Sequence, residues 1–192
     1  MVTYVINRDA RKDRLDSFRK EITLQGINAK RFPAIENKVG YIGCRDSHLE
    51  LLAKIPPNDY MLILEDDVTF VNDFDYLAEA VSQAGKEWDA IYLGGSPRKP
   101  QERYSDNLFK ANGVYTTHSI LWHNRPNGAV EYILSHKQDI GKIDCFMAST
   151  IQPLFNVYMT YPIICSQYQS QSDTCKRADL STIVKNYNAF CK

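Results

Sequence analysis

Three consecutive acids, Glu65, Asp66 and Asp67, follow directly on the apolar run Met61 to Leu64 in the stretch "YMLILEDDVTF". Neighbouring carboxylates repel one another, and a carboxylate at the tip of a buried strand also loses hydration. The arrangement becomes favourable when a divalent cation gathers the charge. On an extended segment alternate side chains share a side, so Glu65 and Asp67 point one way and Asp66 the other. Two oxygen donors with open positions beyond them suit Mg²⁺ or Mn²⁺, and a diphosphate can fill the remaining sites. The plain alternative is a solvated acidic loop after a strand.

Other residues with chemical capacity fall at comparable places. Ile6, Asn7 and Arg8 close the first apolar segment, "YVINR". Asn7 can donate to and accept from a base edge, or it can cap or turn the chain. Arg8 and Arg14 can meet phosphate. In "GCRDSHLELL", Gly43 permits close approach of backbone to ligand and Arg45 can supply charge to a leaving diphosphate. Ser47 and His48 are adjacent, and on a helix adjacent side chains diverge by about a hundred degrees, which argues against a nucleophilic dyad. His48 is either a wall of the site or a packed structural histidine. Gly94 and Gly95, in "WDAIYLGGSP", are expected to open space above a sheet for a sugar. Tyr92, Trp88 and Trp122 are candidates for stacking on a sugar face, and core packing is the favoured alternative.

Elements that could hold these residues alternate along the chain. A short strand at Val2 to Ile6 precedes a helix with Leu15, Phe18 and Ile22 on one face and Gly26 near its end. "AKRFPAI" reads as a second strand. Leu49, Leu52 and Ile55 mark a helix that "PPND" terminates. Met61 to Leu64 is a core strand, "FDYLAEAVSQAG" a helix, and "WDAIYLGG" another core strand. Residues 98–112 lose periodicity and read as a lid over donor phosphates or a solvated connection. Beyond them come one or two strands in "GVYTTHSILWHN", a helix in "NGAVEYILSHK", another after "DIGKID", and a late strand segment. This alternation predicts an α/β fold with a mostly parallel central sheet flanked by helices. Ligands of such folds collect at the carboxyl ends of the strands, where "LEDD" and "LGGSP" both lie.

The chain has 192 residues, enough for one sizeable core, so a single domain over 1–192 is expected, with 174–192 a peripheral tail. Its 23 basic and 23 acidic side chains cancel, and no global field draws it to nucleic acid or an anionic membrane. No transmembrane run is present, and the charged start is unlike a signal peptide. The 5 cysteines form no CxxC pair, which favours free thiols and a soluble protein of the cytoplasm or another reducing compartment.

"YVINRDARKDRLDSF", "RFPAIE", "GCRDSHLELL" and "MLILEDDV", in that order, resemble glycosyltransferase family 25, the lipooligosaccharide and procollagen galactosyltransferase relatives. Weaker likenesses follow in "WDAIYLGG", "HSILWHNRPNGAVEYIL", "KIDCFM" and "YPIICSQYQSQSD". The resemblance implies a GT-A-like nucleotide-diphospho-sugar transferase fold. It implies transfer of a hexose, galactose or glucose, from a UDP-sugar to a hydroxyl of a glycan or glycoconjugate, with Mn²⁺ or Mg²⁺. "EDD" would be the counterpart of the family's DxD motif, with Glu65 and Asp67 on the cation and Asp66 near ribose or sugar. Ile6, Asn7 and Arg8 would contact uracil and ribose, and His48 would wall the site. The likeness to the galactosyltransferases favours inversion, which requires a general base on the acceptor hydroxyl. Asp144, at the start of an expected helix, is the first choice, although Asp there also serves as an N-cap; Asp173 is the second.

The sequence departs from the family at Arg8, where members commonly carry leucine. It also has no histidine after His136 to serve as a late metal ligand, which would leave that role to Gln169, Asp173 or water. These departures are the best arguments for the alternative of a catalytically inactive sugar-binding or assembly protein, and the retention of all three acids and of Asp144 argues against it. The small size implies that acceptor recognition is minimal or supplied by a partner protein. The "EDDVT" run is not the first-strand loop of a haloacid dehalogenase-like phosphatase, and "GGSP" is not a dinucleotide-binding GxGxxG.

Overall fold

The computed structural model describes residues 1–167 and 189–191. Its main sheet is built from β1 (Val2–Asn7), β2 (Lys30–Pro33), β3 (Tyr60–Glu65), β5 (Ala90–Tyr92), β7 (Glu102–Arg103), β8 (Leu108–Lys110), β10 (Ser119–His123) and β11 (Val157–Thr160). Two small pairs accompany it: β4 (Val68–Phe70) with β12 (Cys165–Gln167), and β6 (Ser96–Pro97) with β9 (Val114–Tyr115). The order across the main sheet is β2-β1-β3-β10-β5-β11-β8-β7.

β1 pairs in parallel with β2 and β3, and β5 with β11, whereas β10 runs against β3 and β5, and β8 against β11 and β7. Two strands, β10 and β8, therefore oppose the direction of the other six. The sheet is mixed: mostly parallel in direction, as expected, with antiparallel insertions that periodicity did not reveal.

Both faces of the sheet are covered, which explains why its strands read as nearly continuous apolar runs. Along β3, Met61 and Ile63 face one core, while Leu62 and Leu64 face the other. The first core is closed by α2 (Gly40–Leu52), α4 (Ala129–Ser135) and α5 (Ile143–Phe146), the last continuing through a π turn at Met147–Ile151. α1 (Lys12–Leu24) and α3 (Tyr76–Ala84) cover the second.

Helix α1 buries Arg14, Phe18 and Ile22, a stripe of period four with an arginine at its head. It stops where Gly26 takes a φ of +64°, a left-handed conformation that glycine adopts without a Cβ clash. Residues 98–112 depart from the expected lid: they supply β7 and β8 and extend the sheet at its edge. The side chain of Gln101 holds this excursion together by donating to the Lys99 and Asn112 carbonyls and accepting from the Asn112 amide.

Trp88, Tyr92 and Trp122 are fully packed core side chains, not sugar platforms. The described cysteines, Cys44, Cys145, Cys165 and Cys191, are free thiols. No helix among the described residues is long and apolar enough to cross a membrane.

Candidate active site

A pocket of about 600 Å³ opens at the carboxyl ends of β1 and β3. Ile6, Arg8 and Arg14 line it from β1 and α1, Glu65, Asp66 and Asp67 from the tip of β3, and Cys44, Ser47 and His48 from α2. Residues 34–38, between β2 and α2, form the rest of its rim.

The rim is fastened from both sides. Ala34 donates its backbone N–H to the Asn7 carbonyl at 3.0 Å, and Ile35 donates to the Ser47 hydroxyl at 2.8 Å. Gly43 lets the helix come this close, because a Cβ there would lie 2.4 Å from the Ile35 carbonyl oxygen. The close approach expected of Gly43 is thus to the chain's own rim, and Ser47 is the fastening.

Strand β3 ends at Glu65, and Asp66 and Asp67 form the turn into β4. The alternation that placed Glu65 and Asp67 on one side therefore stops one residue too early, and the three carboxylates take different partners. Glu65 Oε1 lies 3.2 Å from His48 Nε2 and accepts from the Thr117 hydroxyl at 2.9 Å. Asp66 accepts from the Asn7 side-chain amide at 2.7 Å and from Arg14 at 3.1 Å. Asp67 accepts from Arg14 at 3.4 Å and from Gln167 at 3.1 Å.

Asp66 and Asp67 are nearly buried, and Arg14 bridges them with a side chain only 7% exposed. This arginine, expected at phosphate, lines the pocket and pairs with both acids, where it offsets part of their repulsion. Burial pushes the Asp66 carboxyl above its ordinary pKa, against the pull of the Asn7 hydrogen bond and the Arg14 charge. For Glu65 burial acts in the same upward direction, yet the hydrogen bond and charge of His48, with help from His118 and Thr117, bring its pKa down to about 2.

Asn7 is clamped by a network of its own: it donates to the Arg11 carbonyl and accepts from Arg31 at 2.9 Å. It positions Asp66 and is buried, so the structure gives it a turn-holding role and not an open base edge. Arg8 stands at the pocket mouth, 3.4 Å from Glu36. Arg45 is directed elsewhere, bonding Asp46 at 2.8 Å and the Ile140 carbonyl at 2.7 Å, and it ties α2 to the segment before α5 instead of lining the pocket.

Gly94 and Gly95 also depart from expectation. Both are buried outside this pocket, and a Cβ would fall 1.8 Å from the Cys165 carbonyl oxygen at Gly94 and 2.4 Å from Val114 at Gly95. They let chain segments pass close together and leave no room for a sugar.

Asp144, the expected base, sits in the first turn of α5 and is not among the residues that line the pocket; burial raises the pKa of the Cys44 thiol and the Tyr92 hydroxyl, and the charge of Asp144 adds to both. Its carboxylate accepts from the neighbouring Cys145 amide at 2.8 Å, and it makes no cap of the usual kind. Asp173 and Gln169 lie outside the described residues, as does most of the expected tail.

Sequence reasoning missed Thr117, Cys44 and Gln167 at the site. Thr117 arrives because β10 runs antiparallel beside β3, pairing Ser119 with Leu64, so the residues just before β10 meet the acidic tip. Cys44 carried a signal, since it stands four residues before His48 on one helical face.

Residues 38–119 match the family model of glycosyltransferase family 25, described as LPS biosynthesis protein. The matched segment carries α2, the acidic tip and Thr117, so the resemblance read from the sequence is supported over that part of the pocket. No curated protein matches the chain. Among solved structures, a crystal structure of A197 from STIV is similar at 12% identity and a TM-score of 0.45, over 92% of this chain and 99% of that one. A Bacillus anthracis protein assigned as a glucose-1-phosphate thymidylyltransferase, in complex with a sucrose, is similar at 16% identity and a TM-score of 0.37, over 72% of this chain and 56% of that one.

Proposed function

We propose that the protein is a GT-A-like glycosyltransferase that moves a hexose from a UDP-sugar to a hydroxyl of a glycan or glycoconjugate, with inversion at the anomeric carbon. The observation that carries this reading is the acidic tip itself: Glu65, Asp66 and Asp67 line one pocket at the strand ends, with the buried Arg14 against two of them. That leaves carboxylate charge for a hard divalent cation, and the oxygen-only donor set is of the right kind. Glu65 suits the task because both of its hydrogen bonds use Oε1, leaving its second oxygen on a side chain that is 21% exposed to the pocket. Asp67 would be the partner ligand, shared with Arg14.

A bound Mn²⁺ or Mg²⁺ would neutralise the diphosphate of the donor and stabilise its departure. The chain supplies the remainder. Arg8, at the mouth, meets phosphate oxygens, and Ile6 with Ala34 and Ile35 offers an apolar wall for the base. Asp144 takes the proton of the acceptor hydroxyl as its oxygen bonds to the anomeric carbon, and the bond from that carbon to the phosphate oxygen breaks with the electron pair leaving on the nucleoside diphosphate.

One observation favours the alternative of a non-catalytic sugar-binding or assembly protein: Arg14 already occupies oxygens of Asp66 and Asp67 that a cation would use. A thermal-shift panel of nucleotide sugars with and without Mn²⁺, followed by an assay of nucleoside diphosphate release from UDP-galactose and UDP-glucose, separates the two. A ligand that binds the folded state raises the melting temperature by mass action. Metal-dependent stabilisation by a UDP-sugar together with diphosphate release supports the transferase. Stabilisation without release supports the alternative, and a flat response to every nucleotide overturns the donor-site reading.

A further inference from the structure

Cys44 and His48 stand one turn apart on the same face of α2, and the last residue of β3, Glu65, reaches the same point. Their sulfur, nitrogen and oxygen atoms all lie within 4.8 Å of one another. We propose that these three side chains form a site for a borderline-soft divalent cation such as Zn²⁺, distinct in ligand chemistry from the oxygen-only site on the acidic tip.

Geometry supports this first. Two ligands each about 2 Å from a tetrahedral ion stand about 3.3 Å apart. His48 Nε2 and Glu65 Oε1 are separated by 3.2 Å, so an ion can enter between them with little movement. The Cys44 sulfur, within 4.8 Å, closes to bonding distance by a side-chain adjustment. A thiolate, an imidazole and a carboxylate make three protein ligands with a fourth position open toward the pocket, which both Cys44 and Glu65 line.

The surroundings support it as well. His48 is fully buried, which fixes its ring with Nε2 toward Glu65. Carboxylates of Glu65, Asp144 and Asp67 surround the Cys44 thiol, a field that opposes a bare thiolate and favours a cation beside it. Thr117 stands behind, donating to Glu65, and so orients one of the three ligands. Binding exchanges the thiol proton for the metal: one S–H bond breaks, one S–metal bond forms, and a proton is released to solvent. Thiolate and imidazole select zinc over magnesium, whereas carboxylate oxygens alone suit magnesium or manganese.

Glu65 is shared by the two sites, zinc taking Oε1 and the donor cation the second oxygen, so zinc bound here would set two cations on one carboxylate. That consequence rests on the transferase reading; the site does not.

The test uses the whole chain and Co²⁺ as a spectroscopic stand-in for zinc. One equivalent of Co²⁺ is expected to produce a thiolate-to-cobalt charge-transfer band in the near ultraviolet, which Zn²⁺ bleaches and Mg²⁺ does not. Cys44→Ser should abolish the band, and His48→Gln should weaken cobalt affinity at least tenfold. Cys145→Ser, Cys175→Ser and Asp67→Asn should retain the band. Should Cys44→Ser fail to fold, alkylation of wild-type Cys44 by iodoacetamide, read by peptide mass spectrometry, is expected to slow with Zn²⁺ and not with Mg²⁺. No band, a band that survives Cys44→Ser, or alkylation indifferent to zinc overturns the site. An intact band in a protein that turns over no nucleotide sugar leaves this site standing and counts against the transferase reading.

Discussion

Two strand tips lie at the same edge of the sheet, and the chain uses them in opposite ways. β3 ends in Glu65 and turns through two acids into an open pocket, whereas β5 runs into Gly94 and Gly95 and is sealed by Cys165 and Val114. Both tips lie where ligands of such sheets are expected, at the carboxyl ends of parallel strands. What separates them is what comes back over each. The segment at β12 crosses β5 close enough that Leu93 accepts hydrogen bonds from the Ile164 and Cys165 amides. At β3 the returning segments stop at the rim, because Ser47 and Gly43 hold residues 34–38 against α2. A strand end is a ligand site only where the backbone that returns over it leaves a gap.

The largest effect should come from the open tip. Under the transferase reading, Glu65→Ala combined with Asp67→Ala is expected to lower Mn²⁺-dependent diphosphate release on the order of 100-fold or more. An unchanged rate would show that the acids do not hold the cation. The sealed tip should answer in stability instead. Gly94→Ala sets a Cβ 1.8 Å from backbone that cannot move aside alone, and destabilisation of about 3 kcal/mol is expected in urea unfolding. A midpoint like that of the wild type would mean that the β5 end is as open as the β3 end.

Two smaller effects sharpen the contrast within the acidic tip. Glu65 has its folded-state pKa depressed from 4.5 to about 2, so it contributes stability above pH 4.5 that is lost as the pH falls toward 2. Glu65→Gln should therefore lower the melting temperature at pH 7, with the deficit shrinking in acid. Asp66 has its pKa raised above 3.8, so its stabilising contribution is present below pH 3.8 and lost as the pH rises through the folded value. Asp66→Asn is expected to raise the melting temperature at pH 7 by a small amount in the absence of metal, and the gain should vanish below pH 3.8. Melts in which both variants move the same way at pH 7 would remove the distinction between a carboxylate whose partners outweigh its burial and one whose burial outweighs its partners.

Much of the frame was legible in order. Phe18 and Ile22 marked the buried face of α1, Met61 to Leu64 marked a strand covered on both sides, and "GCRDSHLELL" followed by "LILEDD" carried the family pattern that residues 38–119 match. The place of Arg14 was not legible: the stripe was read as Leu15, Phe18 and Ile22, whereas Arg14 heads the buried face and pairs with the acids. Illegible were the reversed strands β10 and β8, whose short apolar runs have the same period whichever way they point. Direction was decisive, because only an antiparallel β10 brings Thr117 to Glu65.

The sequence alone determined which residues carry charge, which segments are apolar enough to be buried, and that acids follow a core strand, since these are properties of local composition and period. Tertiary structure decided which acid faces which partner. β3 pairs only as far as Glu65, so strand parity ended there and the next two carboxylates swung toward Arg14. It also decided that Gly94 and Gly95 close space instead of opening it. The physical reason is the same in both cases: clearance and charge pairing depend on distances between segments far apart in the chain, and no local pattern encodes them.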